Sequence, residues 1–285
     1  MNTDMRGFER DTWSAFINSK RVWLVHVVAN ALLMTAFFYW IRIPEEAGWQ
    51  FALTICGALV IAFCTLWLHS ATFDYFGTTS ERCFRASLRR CISRIPAFLL
   101  WVAIFGVGLW LIGQLWTYDE QAGGYARHSL PLFLRKGVAP RSMFSAVHWV
   151  IWFLYFFVWP ILFLSIGAQV AVKNVRGFFD AAAFRPIRRW RFWLAYLVCF
   201  VVGAYIPYTL AWTVPRKPSP LSDQTWSMVL RLGFGYLLMV TAWVILCAAI
   251  MRASSEDSEA QLNPKPTPIV GNAPAVTDRA FGDAQ

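Results

Sequence analysis

Six apolar runs, each near or above the roughly 20 residues that a helix needs to cross a bilayer, constrain this chain more than any other feature. They lie near 22–43, 49–72, 95–118, 146–172, 192–214 and 225–251 of its 285 residues. Charged residues make up only 15% of the chain, against about 25% in an ordinary soluble domain. A soluble fold could not hide the remaining apolar surface. The expected fold class is therefore all-α, a six-transmembrane-helix domain over 22–251. It is preceded by an amphipathic segment over 1–21 and followed by a polar tail over 252–285 that reads as disordered. The first run exceeds the 7–15 residue core of a secretory signal, so it reads as a retained span.

Lysine and arginine orient the spans, because they collect on the cytoplasmic side. With six spans, eighteen of these residues fall on the face that carries both termini and seven on the other. Both termini are expected in the cytoplasm, and the setting is a bacterial inner (plasma) membrane. The net charge of +10 then belongs mostly to one membrane face and not to a nucleic-acid footprint. Juxtamembrane arginines gain about 1 kcal/mol each from anionic lipid. None of the six cysteines falls in an external loop and there is no C-x-x-C, so no disulfide is expected.

The stretch SERCFRASLRRCISR, residues 80–94, carries five arginines between two apolar runs. At helical period, Phe84, Leu88, Cys91, Ile92 and Ile95 share one face, while Arg82, Arg85, Arg89 and Arg90 fall opposite. Such a helix lies in the interface plane. It is read as an elbow that carries the chain along the cytoplasmic surface before it re-enters. A second elbow is expected near 176–191, with Arg185, Arg188, Arg189 and Arg191, and a third leads into the first span. These eight arginines are the candidate contacts to lipid headgroups. Partners are anionic membrane lipid and a protein partner or a second copy, with no nucleic acid.

The three elbows align on WSAF (13–16), FRAS (84–87) and FDAA (179–182), each with an aromatic residue two positions before an alanine. VWPIL (158–162) resembles AWVIL (242–246), with Trp67 as the third member. The unit is elbow, span, external turn, span, repeated three times in parallel orientation. Gly106, Gly108, Gly113, Gly203, Gly233 and Gly235 would permit close helix contacts. On these elbow motifs the chain resembles the bacterial multi-pass proteins of unknown activity that are similar to the membrane domain of glycerophosphodiester phosphodiesterases. That resemblance implies surface helices before each hairpin and carries over no functional residues.

Polar groups inside a membrane are costly and count as functional candidates. His26 and His69 sit near the cytoplasmic ends of spans one and two, with Asn30 one turn from His26 and Asp74 after span two. They could share a haem, metal or proton site, or simply bond to neighbours and headgroups. Arg231 in span six could bind an anionic substrate with Gln114, Tyr205 and Tyr208, or snorkel to the external interface. Pro160 and Pro207 each free a backbone carbonyl and could kink a helix beside a cavity. The sixteen tryptophans read mostly as interfacial belts. The external connection 119–145 contains LPLFL, able to dip into the interface. Nucleotide, zinc-protease and serine-hydrolase motifs are missing, and the spans carry almost no acid. The chain therefore points away from an enzyme, and no cofactor is called for. The functions left are a non-catalytic membrane subunit or scaffold, a permease or lipid-binding protein with a site between repeats, and a haem or metal redox protein.

Overall fold

The structure, a computed structural model, describes residues 12–44, 46–78, 83–137, 139–213 and 220–262, with side chains as far as 254. Met1–Ser255 form one unit, which holds the helical bundle, and Glu256–Gln285 form a second. The described chain is helical with no strand, and it holds six helices long and apolar enough to cross a membrane.

A helix over 12–18 leads into span 1, Lys20–Trp40. Span 2 runs Gly48–Gly77, past the expected end at 72, so Asp74 lies inside the helix. The first elbow is the helix Phe84–Cys91, closed by a 3₁₀ turn Ile92–Arg94. Span 3 is Ile95–Gln114, with Pro96 in the first turn, where its missing N–H costs nothing. The connection expected as a loop is helical instead, over Asp119–Ser129 and Leu132–Gly137. Leu132 and Phe133 within LPLFL are exposed. Span 4 starts earlier than expected, at Pro140, and continues through a π-helical turn Leu154–Val158 to Trp159–Lys173.

The second elbow is not a regular helix. It is a chain of 3₁₀ turns, Asn174–Phe179, Ala181–Phe184 and Pro186–Arg188. It opens at Asn174, which ends span 4 with a φ of 59° and a ψ of −147°, a strained backbone conformation outside the left-handed helical well. Gly177 follows, and a Cβ there would stand 2.4 Å from backbone atoms of Gln169 and Val170. Span 5 is Trp190–Phe200, a π-helical turn Val201–Tyr205 and Ile206–Trp212. Span 6 is Leu221–Leu262, a helix that continues beyond the expected end at 251. The rest of the expected tail, 263–285, lies outside the described residues, as does Arg82.

Buried side chains gather at the elbow end of the bundle. They fill the C-terminal portions of the even spans: 68–75 in span 2, Ile161 and Phe163 through Ala171 in span 4, and Val240 through Ala253 in span 6. The odd spans each contribute one stripe at helical spacing, such as Phe192, Tyr196 and Cys199. In the register of the three elbow motifs, His26, Ala97 and Phe192 are equivalent positions, and they are 0%, 4% and 0% exposed. At the other end Leu32, Tyr39, Trp49, Trp110, Trp212 and Trp226 present wide apolar surface.

Several tryptophan N–H groups tie elements of the bundle together, a role beyond the interfacial belts expected for most of them. Trp101 donates to the carbonyl of Phe163 at 2.8 Å, and Trp159 donates back to that of Phe105 at 3.1 Å. The indoles of this reciprocal pair cover Gly167 and Gly108, where a Cβ would stand 2.4 and 1.7 Å from the rings. Gly106 and Gly233, by contrast, face open space. The carbonyl that Pro160 leaves free four residues back, that of Phe156, accepts from the Tyr196 hydroxyl at 2.7 Å.

Candidate functional site

Asp74 is the most deeply buried acid described, 1% exposed on the last turns of span 2. A carboxylate removed from water needs a cation and hydrogen bonds, and the first elbow supplies both. Arg90 grips Oδ2 with Nε at 3.0 Å and Nη2 at 2.7 Å, and Arg94 Nη1 reaches Oδ1 at 2.6 Å. Arg94 also donates to the carbonyl of Ala171 at 2.7 Å, on span 4. Arg90, expected to face outward, therefore turns inward beside Arg94, and it is corrected from a headgroup contact to a structural anchor. Helical period had placed Arg90 on the outer face, but a lone buried carboxylate outweighs that preference. Arg85 and Arg89 on the same elbow remain exposed. On the second elbow Arg188 is exposed, while Arg185 donates to the carbonyl of Ser254 at 3.1 Å. Arg189 and Arg191 are half-buried.

The structure does bring His26 and His69 together, with ring centroids 5.5 Å apart. The Thr72 hydroxyl donates to the carbonyl of Leu68 at 2.9 Å. His26 Nε2 therefore carries the proton and donates to Thr72 Oγ1 at 2.6 Å. Its Nδ1 then accepts from the Asn30 amide at 3.2 Å. Both nitrogens of His26 are engaged, so the pair does not fit a bis-histidine haem, which needs one free nitrogen on each ring. Among the described residues no group of three or more His, Cys, Asp and Glu could hold a metal ion. His69 differs from its neighbour. Its Nδ1 is buried with no hydrogen-bond partner among the described residues, and its ring meets Trp243 edge-on at 5.0 Å.

Among the described residues no hydrogen bond joins Gln114, Tyr205, Tyr208 and Arg231 to one another; each has its own surroundings. Gln114, Tyr205 and Tyr208 are exposed. Arg231 lies over the C-terminal end of span 5, donating to the carbonyls of Leu210 and Thr213 and to that of Ser227 on its own helix. It thus covers the carbonyls that a helix end leaves without partners. His148 Nδ1 lies 3.1 Å from Asp119 Oδ2.

Sequence reasoning missed Arg94 as an anchor and Trp101, Trp159 and Tyr196 as donors. A signal existed for Arg94: Asp74 is the single acid in span 2, and a lone membrane acid calls for a cation nearby. The tryptophan partners are backbone carbonyls, which carry no sequence signature. The chain matches no protein-family profile, no curated protein and no solved structure.

Proposed function

We propose that this polytopic membrane protein is a non-catalytic scaffold or membrane subunit of the bacterial inner membrane. Both termini lie in the cytoplasm, and the basic elbows meet anionic headgroups or a partner protein. The observation that carries this reading is the division of labour on the first elbow. Arg90 and Arg94 bind Asp74 and lock the elbow to spans 2 and 4, while Arg85 and Arg89 stay exposed on the locked support. Eighteen of the chain's lysines and arginines fall on that face, which supports the orientation. The occupation of Arg231 by backbone carbonyls at a helix end favours this reading over a permease that keeps its arginine for an anionic substrate.

The test is to excise the protein from membranes in polymer-bounded lipid discs and to analyse lipid, protein and small molecules by mass spectrometry. The expected result is enrichment of anionic lipid, reduced by Arg85→Gln with Arg89→Gln, or a stoichiometric partner polypeptide. A bare chain in lipid of bulk composition, or a polar solute held at one per chain, overturns the proposal.

A further inference from the structure

Two apolar clefts adjoin along span 1. One, of about 500 Å³, runs between spans 1 and 2 past Leu33, Met34, Phe37, Phe38, Ile41 and Ile61. The other, of about 330 Å³, is lined by His69, Met239, Val240 and Trp243. Asn30 and Met34 line both, so the two form one groove that reaches from the elbow end toward the outer leaflet. Asn30 to Ile41 spans eleven residues, about 16 Å of helix. That is close to half of the roughly 30 Å hydrocarbon core, the length of one leaflet's acyl chains.

The end of the groove near His69 carries two orphaned polar groups. The buried Trp243 Nε1 and His69 Nδ1 both lack a hydrogen-bond partner among the described residues. An unpaired buried donor is unfavourable and calls for an explanation. At the matching positions of the repeat register the indole N–H is satisfied: Trp67 donates to the carbonyl of Leu88 on the following elbow at 2.7 Å, and Trp159 to that of Phe105 on span 3 of its own unit at 3.1 Å. Trp243 has no such acceptor among the described residues.

We propose that the groove holds one acyl chain of a membrane glycerolipid, with the ester carbonyl accepting from Trp243 and His69. The chain lies along Met34, Phe37 and Ile61, and the flexible methionines Met34 and Met239 adapt to it. The proposal is independent of the scaffold reading, because it rests on the groove beside span 1 and not on the elbows.

The experiment uses the full chain in vesicles doped with phosphatidylglycerol carrying a diazirine at mid-chain, with labelled peptides mapped after photolysis. Labelling is expected to concentrate on the peptides around Met34, Ile61 and Met239. Trp243→Phe removes the N–H while keeping the ring's apolar bulk, and Met34→Trp fills the groove from a half-exposed position. Each should lower this labelling roughly fivefold, corresponding to about 1 kcal/mol, while leaving the melting temperature close to that of the parent chain. His69→Gln, which retains an N–H donor, should keep more labelling than His69→Phe. Labelling spread evenly over every lipid-facing span, or unchanged in Trp243→Phe and Met34→Trp, overturns the proposal. So does competition by a long-chain quinone but not by unlabelled phosphatidylglycerol. Partner content in the disc experiment is read separately, so either proposal can fail alone.

Discussion

Arg94 joins three segments of the chain through one guanidinium nitrogen: Nη1 lies 2.6 Å from Asp74 Oδ1 and 2.7 Å from the carbonyl of Ala171. Asp74 is 20 residues before it and Ala171 is 77 after it. The first elbow is thereby fixed to two spans at once. Removing one partner of a buried ion pair leaves an uncompensated charge, at a cost of about 3–5 kcal/mol. The Arg94 side chain is 21% exposed, which places its variant toward the lower bound. Asp74→Asn and Arg94→Gln should each lower the melting temperature in detergent by several degrees. The double variant should be less destabilised than the sum of the two, and strict additivity would show that the pair is not coupled.

Tyr196 and Pro160 form a second coupled pair, through the carbonyl of Phe156. Tyr196→Phe orphans that carbonyl, which costs about 1–3 kcal/mol when buried. In Pro160→Ala the restored N–H can take the same carbonyl in a regular helix. Tyr196→Phe should therefore cost markedly less in the Pro160→Ala background, as read by chemical unfolding of the four chains.

The contact of Trp159 on Gly108 leaves no space for a methyl group. Gly108→Ala should destabilise by about 1–3 kcal/mol through overpacking. Gly106→Ala faces open space and should be neutral or slightly stabilising, since alanine is the better helix former. Equal melting temperatures for the two variants would contradict the packing described.

Asp180, at the turn of the second elbow, is held below the usual carboxylate range. The Lys173 ammonium that donates to it is the main cause, with the Ala182 N–H adding to the effect against partial burial. A depressed carboxyl stabilises the fold above its unfolded value near 3.8, and that contribution is lost as pH falls through the lower folded value. In a carbon-13 titration of labelled aspartate, one carboxyl should titrate below 3.8. Lys173→Gln should raise its midpoint, and no change would rule out the ion pair as the cause.

The sequence by itself determined the six spans and the place of the first elbow helix. Hydrophobic length and helical period are properties of contiguous residues and survive without knowledge of neighbours. His26 and His69 were legible as a pair because a short connection puts spans 1 and 2 side by side. The tertiary structure decided what each polar group does. Arg90 turned inward because a carboxylate sixteen residues earlier was buried beside it. Trp101 became a staple because the carbonyl of Phe163, 62 residues away, faces its N–H. His26 lost its role as a ligand to Thr72, 46 residues on, and Trp243 has no acceptor among the described residues. Such partnerships depend on which backbone and side-chain atoms packing brings within about 3 Å, and no local pattern in the chain records that.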